Sequence, residues 1–150
     1  MIKIICVGKV KENYYREAIE EYLKRLSKYT KVEVIEVNDL NYDKEKAIRE
    51  ESKLIIDKLN NNDYNILMDI NGEILDSVTL SKKLNDLMIS NSNITFIIGG
   101  SYGVSDELKR MVDYKLSFSK LTFPHQLFRV VLLEQIYRCF KIMNNEEYHK

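Results

Sequence analysis

The sequence predicts an α/β domain with a mostly parallel sheet and helices on both of its faces. Short runs of β-branched and other apolar residues alternate along the chain with longer segments in which apolar residues recur at helical spacing. Strands that alternate with helices in this way are typical of parallel sheets covered on both sides. The 150 residues contain no linker and no internal repeat. Residues 1–150 are therefore expected to form a single domain.

Two strands and two helices are predicted in the first 60 residues. Residues 2–7 form a β-branched run that ends at Gly8, which is typical of a buried strand. Residues 12–29 and 43–59 place apolar side chains at helical spacing among charges, and so predict two amphipathic helices. Residues 32–37 return to β-branched chemistry and predict the second strand.

The middle of the chain repeats this alternation. Residues 66–70 predict a third strand, and the dipeptide Asn71-Gly72 after it is typical of a tight turn. Apolar residues between 80 and 88 predict a third helix, with Thr79 as its N-cap. Residues 94–98 are strongly apolar and predict the fourth strand.

The last third of the chain predicts a loop, a short helix, a brief strand and a long helix. Residues 99–103 contain three glycines and predict the loop, and Ser105 is expected to cap a short helix over residues 105–112. Residues 116–118 predict the brief strand. Pro124 is placed to open the final helix, because the missing N–H of proline costs nothing there.

The final helix is apolar on all sides instead of along one stripe. Its apolar residues are Leu127, Phe128, Val130, Val131, Leu132, Leu133, Ile136, Tyr137 and Phe140. One face covers the sheet, so the other faces need a second surface to bury them. A two-fold homodimer built on this helix is the simplest solution. The alternative is a helix wedged under other elements of its own chain.

Charge and composition exclude several classes of protein. The 23 Lys and Arg balance the 23 Asp and Glu, which argues against a charge-driven, non-specific DNA binder. No apolar stretch approaches the ~20 residues that span a bilayer, and the N-terminus lacks the apolar region of a signal peptide. Cys6 and Cys139 are too few for a disulfide framework or a four-ligand zinc site. We therefore expect a reduced, cytoplasmic location without membrane or metal.

Three segments carry residues that point to chemistry. Residues 99–103 follow the most apolar strand, where glycines let a ligand approach the backbone closely. Residues 117–126 combine hydroxyls, aromatic rings, a proline and His125. The chain ends with residues 147–150, which include His149, the only other histidine. Each segment alone also has a structural interpretation, as a turn, a helix start or a frayed end.

The common phosphate-binding and hydrolase motifs are absent. No strand is followed by GxGxxG or by a Walker loop. Gly100-Ser101-Tyr102-Gly103 does not have the register of a nucleophile elbow. No group of His, Cys and Asp has metal-ligand spacing. An enzyme with this sequence would act without a metal and without a covalent nucleophile.

Taken together, the three segments resemble one known family. The resemblance rests on Ile98-Gly99-Gly100-x-x-Gly103, Leu116-Ser117-Phe118-Ser119-Lys120-Leu121-Thr122-Phe123-Pro124-His125-Gln126, Arg129, Glu134-Gln135-Ile136-Tyr137-Arg138 and Tyr148-His149-Lys150. These motifs are similar to those of the ribosomal RNA large-subunit methyltransferase H family, within the SPOUT (trefoil-knot) methyltransferases. Residues 4–11 and 21–26 are similar to that family too, so the resemblance runs along the whole chain.

The resemblance implies an S-adenosylmethionine-dependent enzyme that methylates N3 of a pseudouridine in 23S ribosomal RNA on the assembled ribosome. It also implies a C-terminal trefoil knot, against the general rule that chains do not thread loops. The family acts as a homodimer with each site near the subunit boundary. By family position, the cofactor pocket would consist of Met68, Gly99, Gly100, Phe118, Ser119, Lys120, Leu121, Thr122 and Phe123.

The implied reaction is a direct transfer from a sulfonium to a nitrogen, so alignment is the main task of the protein. The nitrogen must also lose its proton, which requires a base or a compensating cation. The catalytic candidates are His125, Arg138, Tyr148 and His149. Arg129 and Lys120 are candidate phosphate contacts. Arg138 also has a structural interpretation, since Glu134 lies four positions earlier in the same helix.

A non-catalytic ribosome- or RNA-binding module is the alternative from another class. It would explain the basic residues near the final helix but not the pairing of the Gly-Gly turn with residues 121–126. A nicotinamide enzyme is disfavoured because GxGxxG is missing. Two positions depart from the family: Glu147 precedes the tail where proline or a small residue is common, and Met68 stands where leucine is common, a volume-conserving exchange.

Overall fold

Five strands and five helices alternate in the computed structural model, which describes residues 1–150. They are β1 (Ile2–Val7), α1 (Asn13–Leu26), β2 (Val32–Val37), α2 (Lys44–Lys58), β3 (Tyr64–Ile74), α3 (Ser77–Ser90), β4 (Ile94–Ile98), α4 (Asp106–Met111), β5 (Tyr114–Ser117) and α5 (His125–Met143). The boundaries of β1, β2 and β4 are those predicted from the sequence. The first two helices are one to three residues shorter at each end, because Glu12 and Asp43 are N-caps, residues 27–29 form a turn and Leu59 is a C-cap.

The strands form one sheet in the order β2-β1-β4-β3-β5, and every pairing is parallel. The central strand β4 is buried along its whole length, as expected for a strand covered on both faces. The predicted α/β class is thereby confirmed. Because all strands run the same way, their carboxyl ends lie along one side of the sheet, which we call the carboxyl edge.

Two apolar cores lie on the two faces of the sheet. Ile4 and Phe96 point into the larger core, which α1, α3 and α5 cover. Ile5 and Ile97 point into the smaller core, which α2 and α4 cover. Successive side chains of a strand face opposite sides, so the continuous apolar runs of β1 and β4 supply both cores. This arrangement confirms helices on both faces.

Strand β3 differs most from its prediction. It is eleven residues long, and both Met68 and Glu73 lie opposite Leu116 of β5, so residues 69–72 bulge out of the pairing. The predicted tight turn at Asn71-Gly72 is therefore wrong, because the chain bulges there and then resumes the same strand. A side chain at position 72 would lie 2.7 Å from the backbone carbonyl of Lys115, so only glycine fits.

The caps explain where three helices begin. Asp76 accepts a hydrogen bond from Thr79 N at 2.7 Å and is the N-cap of α3, so the prediction of Thr79 as the cap is wrong. Ser105 accepts from Leu108 N at 3.2 Å and caps α4, as predicted. Pro124 occupies the N-cap position of α5, one residue before the helix.

Helix α5 is partly wedged into its own chain. Leu132, Leu133 and Ile136 are fully buried, and the helix packs against α1 and α3. Val130 and Val131 keep part of their surface. Packing within the chain explains why one side of α5 is apolar. For the partly exposed side, burial in a homodimer stays a prediction. Strand order and pairing do not define threading, so the trefoil knot also stays a prediction of the family resemblance.

The two cysteines are buried and unpaired, as their apolar sequence context predicts. Burial raises the pKa of the Cys6 thiol to about 11 and that of Cys139 to about 12, so both remain protonated. No helix combines the length and the apolar character needed to cross a bilayer. No three His, Cys, Asp or Glu side chains meet in a geometry that could hold a metal ion.

Candidate functional site

A cavity of about 420 Å³ opens at the carboxyl edge, beyond β3, β4 and β5. Eight of the nine predicted cofactor residues line it, namely Met68, Gly99, Gly100, Phe118, Ser119, Leu121, Thr122 and Phe123. Lys120 does not line the cavity, and its Nζ donates to the carbonyl oxygen of Ile70 at 3.3 Å. The parallel sheet brings these residues together because successive loops leave neighbouring strands at the same edge.

The Gly-Gly turn forms one wall of the cavity. Gly103 N donates to Gly100 O at 3.0 Å, and Gly103 has a φ of +91°, which favours glycine. A side chain on Gly99 would come within 2.6 Å of Val104 Cγ1, and one on Gly100 would collide with Glu51 Oε1. The two glycines therefore keep bare backbone at the wall, where a ligand can approach it closely.

Residues 118–123 form the opposite wall and are held in a defined shape. Ser117 Oγ donates to Ser119 O at 3.0 Å, and Ser119 Oγ accepts from Leu121 N at 3.0 Å. The rings of Phe118 and Phe123 pack on Phe128 of α5, with ring centroids 5.5 and 6.2 Å away. This wall is a fixed, largely apolar surface with backbone groups between the side chains.

His125 is the only catalytic candidate that lines this cavity. Its Nε2 lies 3.0 Å from Ser101 Oγ, and this hydrogen bond joins the glycine wall to the start of α5 after residues 118–123. Burial lowers the pKa of His125, with the Arg129 charge acting in the same direction and the Glu51 and Asp39 carboxylates opposing them. The imidazole is therefore neutral at pH 7 and able to take up a proton.

The other three catalytic candidates form a second group around Glu134. Glu134 Oε1 accepts from Arg138 Nε at 3.1 Å and from Tyr148 OH at 2.9 Å. Burial and this hydrogen bond raise the pKa of Tyr148 to about 12, so the phenol remains protonated. Arg138 lies over the Tyr148 ring, and its Nη1 is 3.1 Å from His149 Nδ1. Because a guanidinium can only donate, Nδ1 of His149 is the acceptor.

A second cavity, of about 490 Å³, lies next to the first and reaches this group. His149 lines it together with Val131 and Gln135 of α5, and the two cavities share Phe118, Ser119 and Phe123. The four catalytic candidates therefore lie on the two sides of one segment, residues 118–123. A single chain does not bring all four of them into one cavity.

Several cavity residues were not predicted from the sequence. Asp69, Ile70 and Asn71 reach the cavity from the bulge in β3, and the Asn71-Gly72 dipeptide was the available signal for it. Ser101 also lines the cavity, and within the glycine loop nothing in the sequence distinguishes it as a functional residue. Glu51 of α2 does not line the cavity but is buried behind Gly100, where it accepts from Leu40 N at 2.9 Å. No periodicity distinguishes it from the other glutamates of α2.

Arg129 has a structural role instead of the predicted contact with phosphate. It is 2% exposed, and its Nη1 lies 2.6 Å from Glu36 Oε2 while Nη2 donates to Gly8 O at 3.1 Å. These bonds tie α5 to the ends of β1 and β2. Its charge influences His125 but does not reach the surface.

Comparison with known proteins agrees with this geometry. The profile of a family described as "Predicted SPOUT methyltransferase" matches residues 1–149. The chain is 52% identical, over 157 aligned residues, to "Ribosomal RNA large subunit methyltransferase H 1" of Clostridium perfringens (strain SM101 / Type A). It is 50% identical to "Putative ribosomal RNA large subunit methyltransferase H" of Methanococcus maripaludis (strain C5 / ATCC BAA-1333) and 47% identical to the methyltransferase H of Clostridioides difficile (strain 630). Each alignment covers 99% of both chains.

Proposed function

Because the chain belongs to the SPOUT methyltransferase family, we propose that it transfers the methyl group of S-adenosylmethionine to N3 of a pseudouridine in 23S ribosomal RNA. The names of its relatives give the large-subunit ribosomal RNA as their substrate. The similarity extends over 99% of each chain, which supports a shared activity. We further propose that the assembled ribosome is the substrate, which implies a cytoplasmic location.

The cavity between the glycine wall and residues 118–123 carries this proposal. Its volume of about 420 Å³ falls in the range of small-molecule sites, roughly 300–1,000 Å³. Half of its lining residues, 11 of 22, are hydrophobic, which suits an adenine ring. Bare backbone at Gly99 and Gly100 offers N–H and C=O groups at close range. The residues present therefore fit a nucleoside without a phosphate, with apolar side chains against the flat faces of the base and backbone groups at its polar edge.

When bound, S-adenosylmethionine supplies a methyl group already activated on a sulfonium. The remaining task of the chain is to align the acceptor with it and to remove one proton. His125 is neutral and at the cavity wall, so we assign it the N3 proton, which leaves as the N–CH₃ bond forms. Ser101, at 3.0 Å from Nε2, fixes the orientation of the imidazole.

The group around Glu134 would stabilise the negative charge that develops on the pyrimidine ring. Arg138 is held by Glu134 on one side and by the Tyr148 ring on the other, so its guanidinium is oriented in advance. We propose that a homodimer forms on the half-buried face of α5. The second cavity, with His149, would then lie at the subunit boundary.

Calorimetry with S-adenosylmethionine and a methyl-transfer assay test the proposal. We expect micromolar binding, and incorporation of one methyl group into ribosomes that lack the modification. Arg138→Ala should keep the cofactor affinity and lower the transfer rate. A chain that binds ribosomes but shows no cofactor binding at high micromolar concentration would be the non-catalytic RNA-binding module.

A further inference from the structure

The loop between β1 and α1, residues 8–12, reaches the carboxyl edge beside the cavity and is held there by α5. Gly8, with a φ of +88°, turns the chain out of the sheet. Its carbonyl oxygen accepts from Arg129 Nη2 at 3.1 Å, and Lys11 N donates to Gln126 Oε1 at 3.0 Å. Gln126 directly follows His125, so one hydrogen bond joins the loop to the residue after the proposed base.

Arg16 of α1 fixes the same loop from the other side. Its Nε donates to Val10 O at 3.0 Å, and its Nη2 donates to Lys11 O at 3.2 Å. Three side chains thus bind the backbone of a five-residue loop. The ammonium groups of Lys9 and Lys11 are not used to hold the loop, because both side chains are exposed and form no ion pair.

Other cations near the cavity are less available. Arg129 is buried against Glu36, Lys120 donates to Ile70 O, and Lys109 is half-buried on α4. The chain has no net charge, so attraction of RNA depends on where single cations stand. An exposed ring, Tyr14, follows the loop at the start of α1 and is 63% exposed.

We propose that residues 8–12, here called the lysine loop, bind the phosphate backbone of the RNA substrate next to the cavity, through Lys9 and Lys11. This inference rests on the proposed function and names the part of the chain that receives the RNA. Phosphate contacts fix the position and register of a nucleic acid, while selection of the base is left to other groups. A loop with a fixed backbone and free ammonium groups is suited to that task. The carboxylates of Asp39, beside Gly8, and of Glu12, next to Lys11, repel phosphate and so weaken the attraction of RNA to the two lysines.

The test compares the double variant Lys9→Ala/Lys11→Ala with wild type in binding a stem-loop RNA across a salt series. Each phosphate contact contributes about 0.7 to the slope of log K against log salt for single-stranded RNA. We expect the slope to fall by about 1.4 and the affinity at low salt to fall about tenfold. The KM for ribosomes should rise by a similar factor, while cofactor affinity stays unchanged. Lys9→Arg/Lys11→Arg should restore the slope.

The matched control is Lys31→Ala/Lys58→Ala, which removes two exposed, unpaired lysines at the opposite edge of the sheet. Its salt slope should equal that of wild type. An unchanged slope in the lysine-loop variant, no rescue by arginine, or a loss of cofactor affinity would each overturn the inference. Wild-type protein that binds RNA with the expected slope but transfers no methyl group would instead refute the proposed function alone.

Discussion

A methyl group added at Gly100 would collide with the Glu51 carboxylate, which is buried beneath the turn and accepts a hydrogen bond from Leu40 N. Gly100→Ala therefore has to move either the cavity wall or a buried charge. We expect the affinity for S-adenosylmethionine to fall about tenfold, which is about 1.4 kcal/mol. Calorimetry measures the change.

The Glu51→Ala background provides the control for this substitution. Removing the carboxylate removes the collision, so Gly100→Ala should cost less affinity there than in wild type, and the difference is the coupling of a double-mutant cycle. Equal losses in both backgrounds would show that Glu51 does not constrain the turn.

The pH dependence of His125 follows from its surroundings. Burial lowers the pKa of this imidazole below its usual value of 6.5, so between the two values the unfolded chain binds more protons than the folded one. The contribution of His125 to the free energy of unfolding is therefore fully present above pH 6.5, and it is lost as the pH falls from 6.5 through the lowered pKa of the folded state. The rate of methyl transfer should rise with pH over the same range, because the neutral ring accepts the proton.

Proton NMR of the His149→Ala variant measures this pKa directly, since His125 is then the only histidine. A midpoint at or above 6.5 would contradict the expected direction. His125→Gln should flatten the acid side of the stability curve without shifting its alkaline side.

The location of single residues could be predicted where the residue type alone limits the structure. Gly99, Gly100 and His125 line the cavity, because bare backbone and an imidazole are rare in this chain and stand in characteristic places. Their roles in cofactor binding and catalysis stay predictions. Glu51 was not found, because one glutamate in a charged helix looks like the others. Its burial depends on packing between α2 and the loops after β2 and β4, which sequence spacing does not reveal.

At the scale of elements, the bulge in β3 shapes the cavity. Gly72 allows the bulge to approach Lys115 and Leu116 of β5, with backbone atoms 2.7 and 2.8 Å from the position of an added Cβ. Gly72→Ala forces two backbones apart, and overpacking of this kind costs about 1–3 kcal/mol. We expect a lower midpoint of thermal unfolding together with weaker cofactor binding.

Asn71→Ala is the control for Gly72→Ala, because Asn71 lies on the same bulge and is exposed. It should unfold at nearly the wild-type temperature. Equal destabilisation by both substitutions would mean that the close approach to β5 is not the reason for the glycine.

Whole elements were easier to predict than the connections between them. The buried strands β1 and β4 are almost entirely apolar, and the edge strand β2 alternates β-branched residues with glutamates, so all three were recognisable at their correct bounds. The bulge after Met68 was mistaken for a turn, because the same Asn-Gly dipeptide suits both and only the pairing with β5 distinguishes them. The cap of α3 was misplaced by three residues, since Asp76 and Thr79 are both acceptable N-caps.

For the whole molecule, the proposed homodimer predicts a mass of twice 17.7 kDa in sedimentation at micromolar concentration. Val131 is half-buried on α5 and lines the second cavity, so Val131→Glu would place a charge in the subunit interface. We expect this variant to sediment as a single chain and to lose methyl transfer.

Ile89→Glu is the control for the interface variant, because Ile89 is 79% exposed near the end of α3. It should leave both mass and activity unchanged. Wild-type protein that sediments as a single chain would refute the dimer and assign the apolar character of α5 to packing within one chain.

The order of the strands also determines when the protein can fold during its own synthesis. β1 pairs with β4, so Ile2 cannot reach its neighbour Ile94 until most of the chain has left the exit tunnel. Helix α5, which closes the larger core against α1 and α3, emerges last of all. Contacts between such distant segments form slowly and leave apolar surface exposed in the nascent chain. Folding is therefore completed only after translation ends, and a message truncated before α5 would yield a chain prone to aggregation.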